Sequence, residues 1–219
     1  DYEGMESSFL NGQYIIHQAA WPEGLWASYD ETPYELNVEK AKALLAEAGY
    51  PDGFEVRLST LNESPYPQIA AAVQATLAQA GIEASIETAE GKTLWPMYRS
   101  RKHELIIARW GPDYLDPHSN LDSFARNPDN SDEAQLSGRL AWRNAWASEE
   151  MNDLVMDAAR EQDRATREQM YHDIQKKLQQ EGPYAIMFQD VEQSVMDKDV
   201  EGFISGPTFD LVFYRTITK

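Results

Sequence analysis

The densest set of chemically capable residues is Arg109-Trp110-Gly111-Pro112-Asp113-Tyr114-Leu115-Asp116-Pro117-His118. Trp110 offers a broad apolar face with a single N–H donor. Asp113 and Asp116 supply fixed negative charge, and Gly111 lets backbone come close to a ligand. The cluster follows directly on Leu105-Ile106-Ile107-Ala108, an apolar run suited to a strand covered on both faces. Ligands of open α/β sheets sit beyond the carboxyl ends of the strands, so the location favours binding. Each residue also has a purely structural use, Trp as core filler, Asp as a turn or cap former and Pro as punctuation, and local chemistry leaves both readings open.

A second cluster, Leu140-Ala141-Trp142-Arg143-Asn144-Ala145-Trp146, carries two tryptophans four residues apart. At helical spacing they share one face, which suits a core or domain contact. The functional alternative has Trp142 and Asn144 bordering a cleft, since aromatics and amides are typical of binding surfaces.

Two other chemistries compete for the first cluster. Asp113 and Asp116 have the types needed for a hydrolytic acid/base pair, but such a pair works across a substrate with separated pKa values. No nucleophile elbow, P-loop or dinucleotide fingerprint accompanies them, so neither an enzyme nor a cofactor is expected. His103 and His118 with the two aspartates offer N and O ligands, yet their spacing matches neither the H-E-x-x-H pattern nor a calcium loop, and no metal is expected.

The elements that must position these residues read as an α/β pattern. The first residues, to about Leu10, form a helix without an initiator methionine, and the start is expected to be a cut end. From Asn11 to Leu36, turn formers and scattered aromatics predict an ordered loop draped over a surface. Asn37 caps a helix with Ala41, Leu44, Leu45 and Ala48 on one face, ended by Gly49. Phe54, Val56 and Leu58 alternate as a strand with one face buried. Ile69, Val73, Leu77 and Ala80 line a second helix, and Ile82, Ala84 and Ile86 a second strand. A short helix near Thr93–Arg101 leads to the apolar run.

Gly111–Trp146 lacks sustained periodicity and predicts a long loop holding a single helical turn, the kind of loop that is usually functional or disordered. Two amphipathic helices follow, Ser148 to about Gln162 and Asp163 to Glu181, stopped by Gly182-Pro183. Met151, Leu154, Val155 and Ala158 point inward on the first, and Met170, Tyr171, Ile174 and Leu178 on the second. The tail gives strand candidates at Ala185–Gln189, Gln193–Met196 and Leu211–Ile217. At 219 residues one domain is the default.

With 37 acidic against 19 basic side chains the net charge is −18, which repels phosphate backbones and anionic lipid and disfavours nucleic acid as a partner. No stretch approaches the length of a membrane helix, and no basic-then-apolar signal opens the chain. The absence of cysteine excludes disulfides and thiolate chemistry.

Three stretches together resemble the family-5 extracellular solute-binding proteins, which include dipeptide-, oligopeptide- and nickel-binding receptors. Tyr34 to Phe54 (YELNVEKAKALLAEAGYPDGF) is similar to that family's Y-D-P-E-K-A-K-x-L-L-A-E-A-G-Y-x-D-G-F segment, with Asn37-Val38 in place of Asp-Pro. Trp110 to Pro117 resembles its W-x-x-D-Y-x-D-P element. Arg167-Glu168-Gln169-Met170-Tyr171, the helix that follows and Gly182-Pro183-Tyr184 resemble its R-x-x-x-Y helix and exit strand.

The resemblance implies the C-terminal lobe of a two-lobed periplasmic-binding-protein fold (class II, cluster C), a mixed sheet flanked by helices. It also implies a first lobe and export signal outside these residues. On this reading residues 1–219 are one lobe, residues 1–36 an initial helix and surface loop, and residues 205–219 a terminal strand that pairs with the other lobe. The implied function is the substrate-binding component of an ABC importer, a monomer in the periplasm or extracellular space that closes like a hinged clamp and hands a peptide or similar solute to a membrane permease.

By the same resemblance Asp113 pairs with a peptide's ammonium group and Trp110 lines the pocket beside it, with Tyr114 packing on the solute. Trp110, Asp113, Tyr114, Asp116, Trp142 and Asn144 are therefore the expected ligand-binding residues. The stretch Pro128–Ser148 departs from the family's pattern and leaves the solute open between peptide, sugar and metal chelate. The alternatives are a hydrolase lobe using Asp113 and Asp116 and a standalone interaction domain.

Overall fold

A computed structural model describes residues 1–206, 208 and 214–219. The chain divides into two compact units, Asp1–Ile16 with Pro33–Arg109 and His17–Thr32 with Trp110–Lys219.

The first unit contains α1 (Tyr2–Met5), which runs into a π-helical turn at Glu6–Leu10, then β1 (Tyr14–Ile16), α2 (Val38–Glu47), β2 (Phe54–Leu61), α3 (Tyr66–Gln79), β3 (Ile82–Ala89), α4 (Gly91–Arg99) and β4 (Leu105–Ile107). Asn37 caps α2 as expected, its side-chain oxygen accepting from the Lys40 N–H at 2.9 Å. The helix ends in a Schellman turn at Gly49 (φ 90°), with the Tyr50 N–H bonded to Leu45 O at 2.8 Å. Although α2 is amphipathic, none of its residues is fully buried, and Leu44 is 54% exposed.

The sheet is parallel with order β3-β2-β4, Phe54 opposite Ile82 and Leu58 opposite Leu105. This is the α/β pattern that the alternating helices and strands predict. Strand β2 is central, and β4 pairs only with Leu58–Thr60, so all four residues from Leu58 to Leu61 are buried whereas Phe54 is exposed. The expected one-faced alternation therefore does not hold along β2: in its first half only Val56 is partly buried, and in its second half both faces are covered. The apolar run at Leu105 was expected to be covered on both faces, but β4 is an edge strand and Leu105 is 37% exposed.

Where β2 and β3 begin, Gly53 (φ 76°) lies directly against the Gly81 carbonyl, leaving no room for a Cβ. Only glycine meets both the positive φ and the close approach.

The second unit contains α5 (His118–Phe124), α6 (Leu140–Arg143), α7 (Glu149–Arg160), α8 (Arg164–Glu181) and β5 (Phe188–Asp190). Ser148 and Asp163 cap α7 and α8, accepting from the Met151 and Thr166 N–H groups at 3.3 and 2.9 Å. The two helices pack together over Met151, Val155, Ala158, Tyr171, Ile174 and Leu178, all buried. The long stretch after Gly111 holds two short helices, not one helical turn, because α5 and α6 each bury an apolar side, Leu121 with Phe124 and Leu140 with Trp142.

The segment His17–Thr32 has the surface to lie on that its aromatics call for, and side-chain amides attach it there. Asn120 donates to Ala20 O (2.6 Å), Gln175 to Ala27 O (2.9 Å), and Gln179 to Gln18 O and Glu31 O (2.9 and 3.0 Å). These loop carbonyls thus find donors on helices α5 and α8.

In the tail β5 overlaps the expected Ala185–Gln189 strand only at Phe188 and Gln189 and runs on to Asp190. Gln193–Met196 forms no strand, and Val195 is 99% exposed with nothing to pack on. Of the expected strand Leu211–Ile217, residues 211–213 lie outside the described residues, Tyr214–Thr216 is a 3-10 turn, and Thr218 bridges to Glu201.

Candidate functional site

All six expected ligand-binding residues fall in the second unit. The segment from Asp113 to Ser119 is a self-closed loop. The buried Ser119 hydroxyl accepts from the Asp113 N–H (2.9 Å) and the Tyr114 N–H (3.4 Å), and the Ser119 N–H returns to Asp116 O (2.9 Å). Asp116 Oδ1 accepts from the His118 N–H at 3.0 Å, an Asx turn that precedes α5. These bonds turn the side chains of Asp113 and Tyr114 outward, and both residues are exposed.

Trp110 stands at the start of the loop, half-buried, with its ring edge-on to Phe124 (centroids 6.1 Å, 88°) and the Arg143 guanidinium 5.7 Å from the ring centre. Its indole N–H is buried and has no hydrogen-bond partner. A group that loses water without gaining an acceptor costs about 1–3 kcal/mol, so the site has an unused donor.

The local electrostatics separate the two aspartates. Burial, followed by the carboxylates of Asp116, Asp122 and Asp113, pushes the Tyr114 phenol above its usual range. Two of those three carboxylates are neutralised. Asp116 pairs with Arg167 at 2.8 Å, and Asp122 pairs with Arg139 at 2.7 Å and Arg126 at 3.3 Å. Asp113 has no cation beside it among the described residues. Asp116, expected to meet a ligand or to act with Asp113 as an acid/base pair, gives Oδ1 to a guanidinium and a backbone N–H.

The second cluster is differently built. Trp142 is 2% exposed, and its N–H donates to Ser131 O at 2.9 Å. Helix α6 stops at Arg143, and Ala145 (φ 53°) forms a left-handed turn closed by Trp146 N–H to Ala141 O at 3.0 Å. The expected shared helical face of Trp142 and Trp146 is therefore interrupted between them. Asn144, half-buried, donates back to Leu140 O at 2.8 Å.

Sequence reasoning missed Ser119, the acceptor on which the loop closes, and, although Arg167 stands in the R-x-x-x-Y stretch, the pairing of Arg167 with Asp116. The signal for Arg167 was its place four residues before Tyr171, which sets both on one face of α8. Among the described residues no group of three or more His, Cys, Asp or Glu is arranged to hold a metal ion, and no helix is long and apolar enough to cross a membrane. A cavity of about 310 Å³ lies in the first unit between α1, α2 and α3, lined by Tyr2, Leu36, Val38, Leu45 and Leu77, and none of the expected residues borders it.

Comparison with known proteins gives these features a context. Residues 1–132 match the family described as bacterial extracellular solute-binding proteins, family 5 middle. A probable D,D-dipeptide-binding periplasmic protein of Escherichia coli K12 is 28% identical over the whole chain, which covers 42% of that protein. A dipeptide-binding protein of the same organism is 26% identical over 85% of the chain and 35% of its own length. The chain thus spans about two fifths of the length of such relatives.

Among solved structures, HbpA2 from Haemophilus parasuis is 26% identical with a TM-score of 0.81, over all of this chain and 42% of that one. A Pseudoalteromonas dipeptide-binding protein in complex with Met-Leu is 22% identical with a TM-score of 0.80, over all of this chain and 43% of that one, a likeness of fold. The fold is thus that of the periplasmic binding proteins, and the chain belongs to the family-5 bacterial extracellular solute-binding proteins.

Proposed function

We propose that this chain is part of the substrate-binding component of an ABC importer, which captures a short peptide or similar small solute outside the cytoplasmic membrane and delivers it to a permease. Asp113 anchors the ammonium or another cationic group of the solute, while Trp110 and Tyr114 pack beside it. The observation that carries this reading is the unpaired charge of Asp113. Of the three carboxylates around Tyr114 it alone lacks an arginine, and it sits outward on a loop whose backbone is internally bonded. A carboxylate left free in such a frame suits a cation that arrives with the ligand.

The dipeptide-binding relatives favour a peptide as that ligand. A hydrolase would need Asp113 and Asp116 as a working pair, and the second is bonded to Arg167.

The test is calorimetry on the full-length protein with a pool of dipeptides and the same pool N-acetylated. The free-amino pool is expected to bind at least tenfold more tightly, consistent with about 1.5–3 kcal/mol for a charged hydrogen bond. Asp113→Asn is expected to abolish the difference. Equal binding of the two pools by the unaltered protein, or a difference that survives Asp113→Asn, overturns the anchor.

A further inference from the structure

We propose that Arg167 is the positioning residue of the ligand loop, holding Asp113 at its working place through Asp116 without itself touching the solute. This rests on the reading of Asp113 as the anchor.

The guanidinium sits where three elements meet. Its Nη2 is 2.8 Å from Asp116 Oδ1 and 3.0 Å from the Tyr171 hydroxyl, and its Nε donates to Ala158 O in the last turn of α7 at 3.0 Å. Its Cζ lies 5.3 Å from the centre of the Trp26 ring, and Trp26 is itself tied to α8 by its N–H to Glu168 Oε2 at 3.1 Å. Burial works against the charge of Arg167, but the bonds to Asp116 and Tyr171 outweigh it and hold the guanidinium above its usual range. Side-chain exposure is 21% for Arg167 and 28% for Asp116, so water screens the pair only in part.

The loop's own bonds fix its shape and tie it to α5 through Ser119, but they do not tie it to α7 or α8. Ser119 and Asp116 close Asp113–Ser119 on itself, and the Asp116 carboxylate is the group through which that closed loop meets α8. Asp116 therefore has two tasks on one oxygen: it accepts the His118 N–H that starts α5 and it receives the arginine. Displacing it would carry Asp113, three residues away in the same closed turn, out of register with the solute. Misplacement by about an ångström is costly wherever geometry is what the site supplies.

Lysine cannot replace Arg167. A single ammonium on a flexible stem cannot hold a carboxylate, a hydroxyl and a carbonyl in fixed directions at once.

The experiment uses the full-length protein and the free and N-acetylated dipeptide pools, with Arg167→Lys and Asp116→Asn measured beside the unaltered protein and melting temperatures recorded in parallel. Asp116→Asn keeps an acceptor for the His118 N–H and removes only the charge, so it stays folded if Arg167→Lys does not. Both variants are expected to lose at least fivefold in affinity for the free-amino pool while affinity for the acetylated pool changes less than twofold, an effect on ammonium recognition that lost stability alone does not produce.

If the variants keep the full preference for the free-amino pool, Arg167 does not position the loop, and the Asp113 reading stands. Equal weakening for both pools makes the arginine a purely structural residue and overturns the proposal. A protein with no preference even when unaltered refutes the Asp113 anchor, and this proposal falls with it.

Discussion

The Gln175 amide, fully buried on α8, donates to the carbonyl of Ala27, 148 residues earlier, at 2.9 Å. Ala27 has φ 62°, a conformation uncommon for a residue with a Cβ. The same amide also donates to Tyr171 O at 3.1 Å within its own helix. One side chain thus holds an unfavourable turn of the 17–32 segment against the helix that carries Arg167.

Replacing Gln175 by leucine keeps the volume and removes both bonds, stranding the Ala27 carbonyl in the interior. The expected loss is about 1–3 kcal/mol of unfolding free energy, measured by urea titration of the full-length protein. An unchanged midpoint would show that the Gln175 bonds add nothing to the hold that Asn120, Gln179 and the tryptophans have on the segment.

Gly53→Ala is expected to cost more than its single methyl suggests. The added Cβ would meet the Gly81 carbonyl, a backbone atom at the start of the paired β2 and β3, at a positive φ. A loss of about 1–3 kcal/mol is expected, whereas Gly49→Ala, with the same sign of φ and open space around it, should cost less. Comparing the two by thermal unfolding separates steric clash from backbone conformation.

Tyr171 sets an alkaline limit on stability. Burial, opposed by Arg167, pushes its phenol above the ordinary value near 10. The unfolded chain releases this proton first, so the contribution is fully present below about pH 10 and is lost as pH rises through the folded value. In denaturant titrations from pH 8 to 11.5, Tyr171→Phe should be less stable at pH 8, by about 0.5–1.5 kcal/mol for the bond to Arg167, and should decline less steeply above pH 10. Parallel declines in the two proteins would assign the alkaline loss to other groups.

Much of the fold was legible because it is local. The Asn37 cap, the Gly49 stop and the Ser148 and Asp163 caps depend on residues within one or two turns, and each forms as its sequence indicates. Strand burial was less legible. Whether Leu105 is covered depends on the position of β4 at the sheet edge, which periodicity does not encode.

The site divides along the same line. The tryptophan and carboxylates of Trp110–Asp116 announce themselves by type, but Asp113 and Asp116 are chemically identical in the sequence. They differ because an arginine 51 residues beyond Asp116 reaches one and not the other. Trp142 was ambiguous for the same reason, and the carbonyl of Ser131, eleven residues away, gives its indole N–H a partner in the interior.

The Asp116–Arg167 pair also has a direction. Exchanging the two residues would preserve the net charge and the opposite signs, yet an aspartate on α8 could neither donate to the Ala158 carbonyl nor lie across the Trp26 ring. An arginine in the loop would have no oxygen to offer the His118 N–H. The reciprocal swap should therefore fail as a rescue, and chains that share this loop can drift at either position only by rebuilding the corner between α5, α7 and α8.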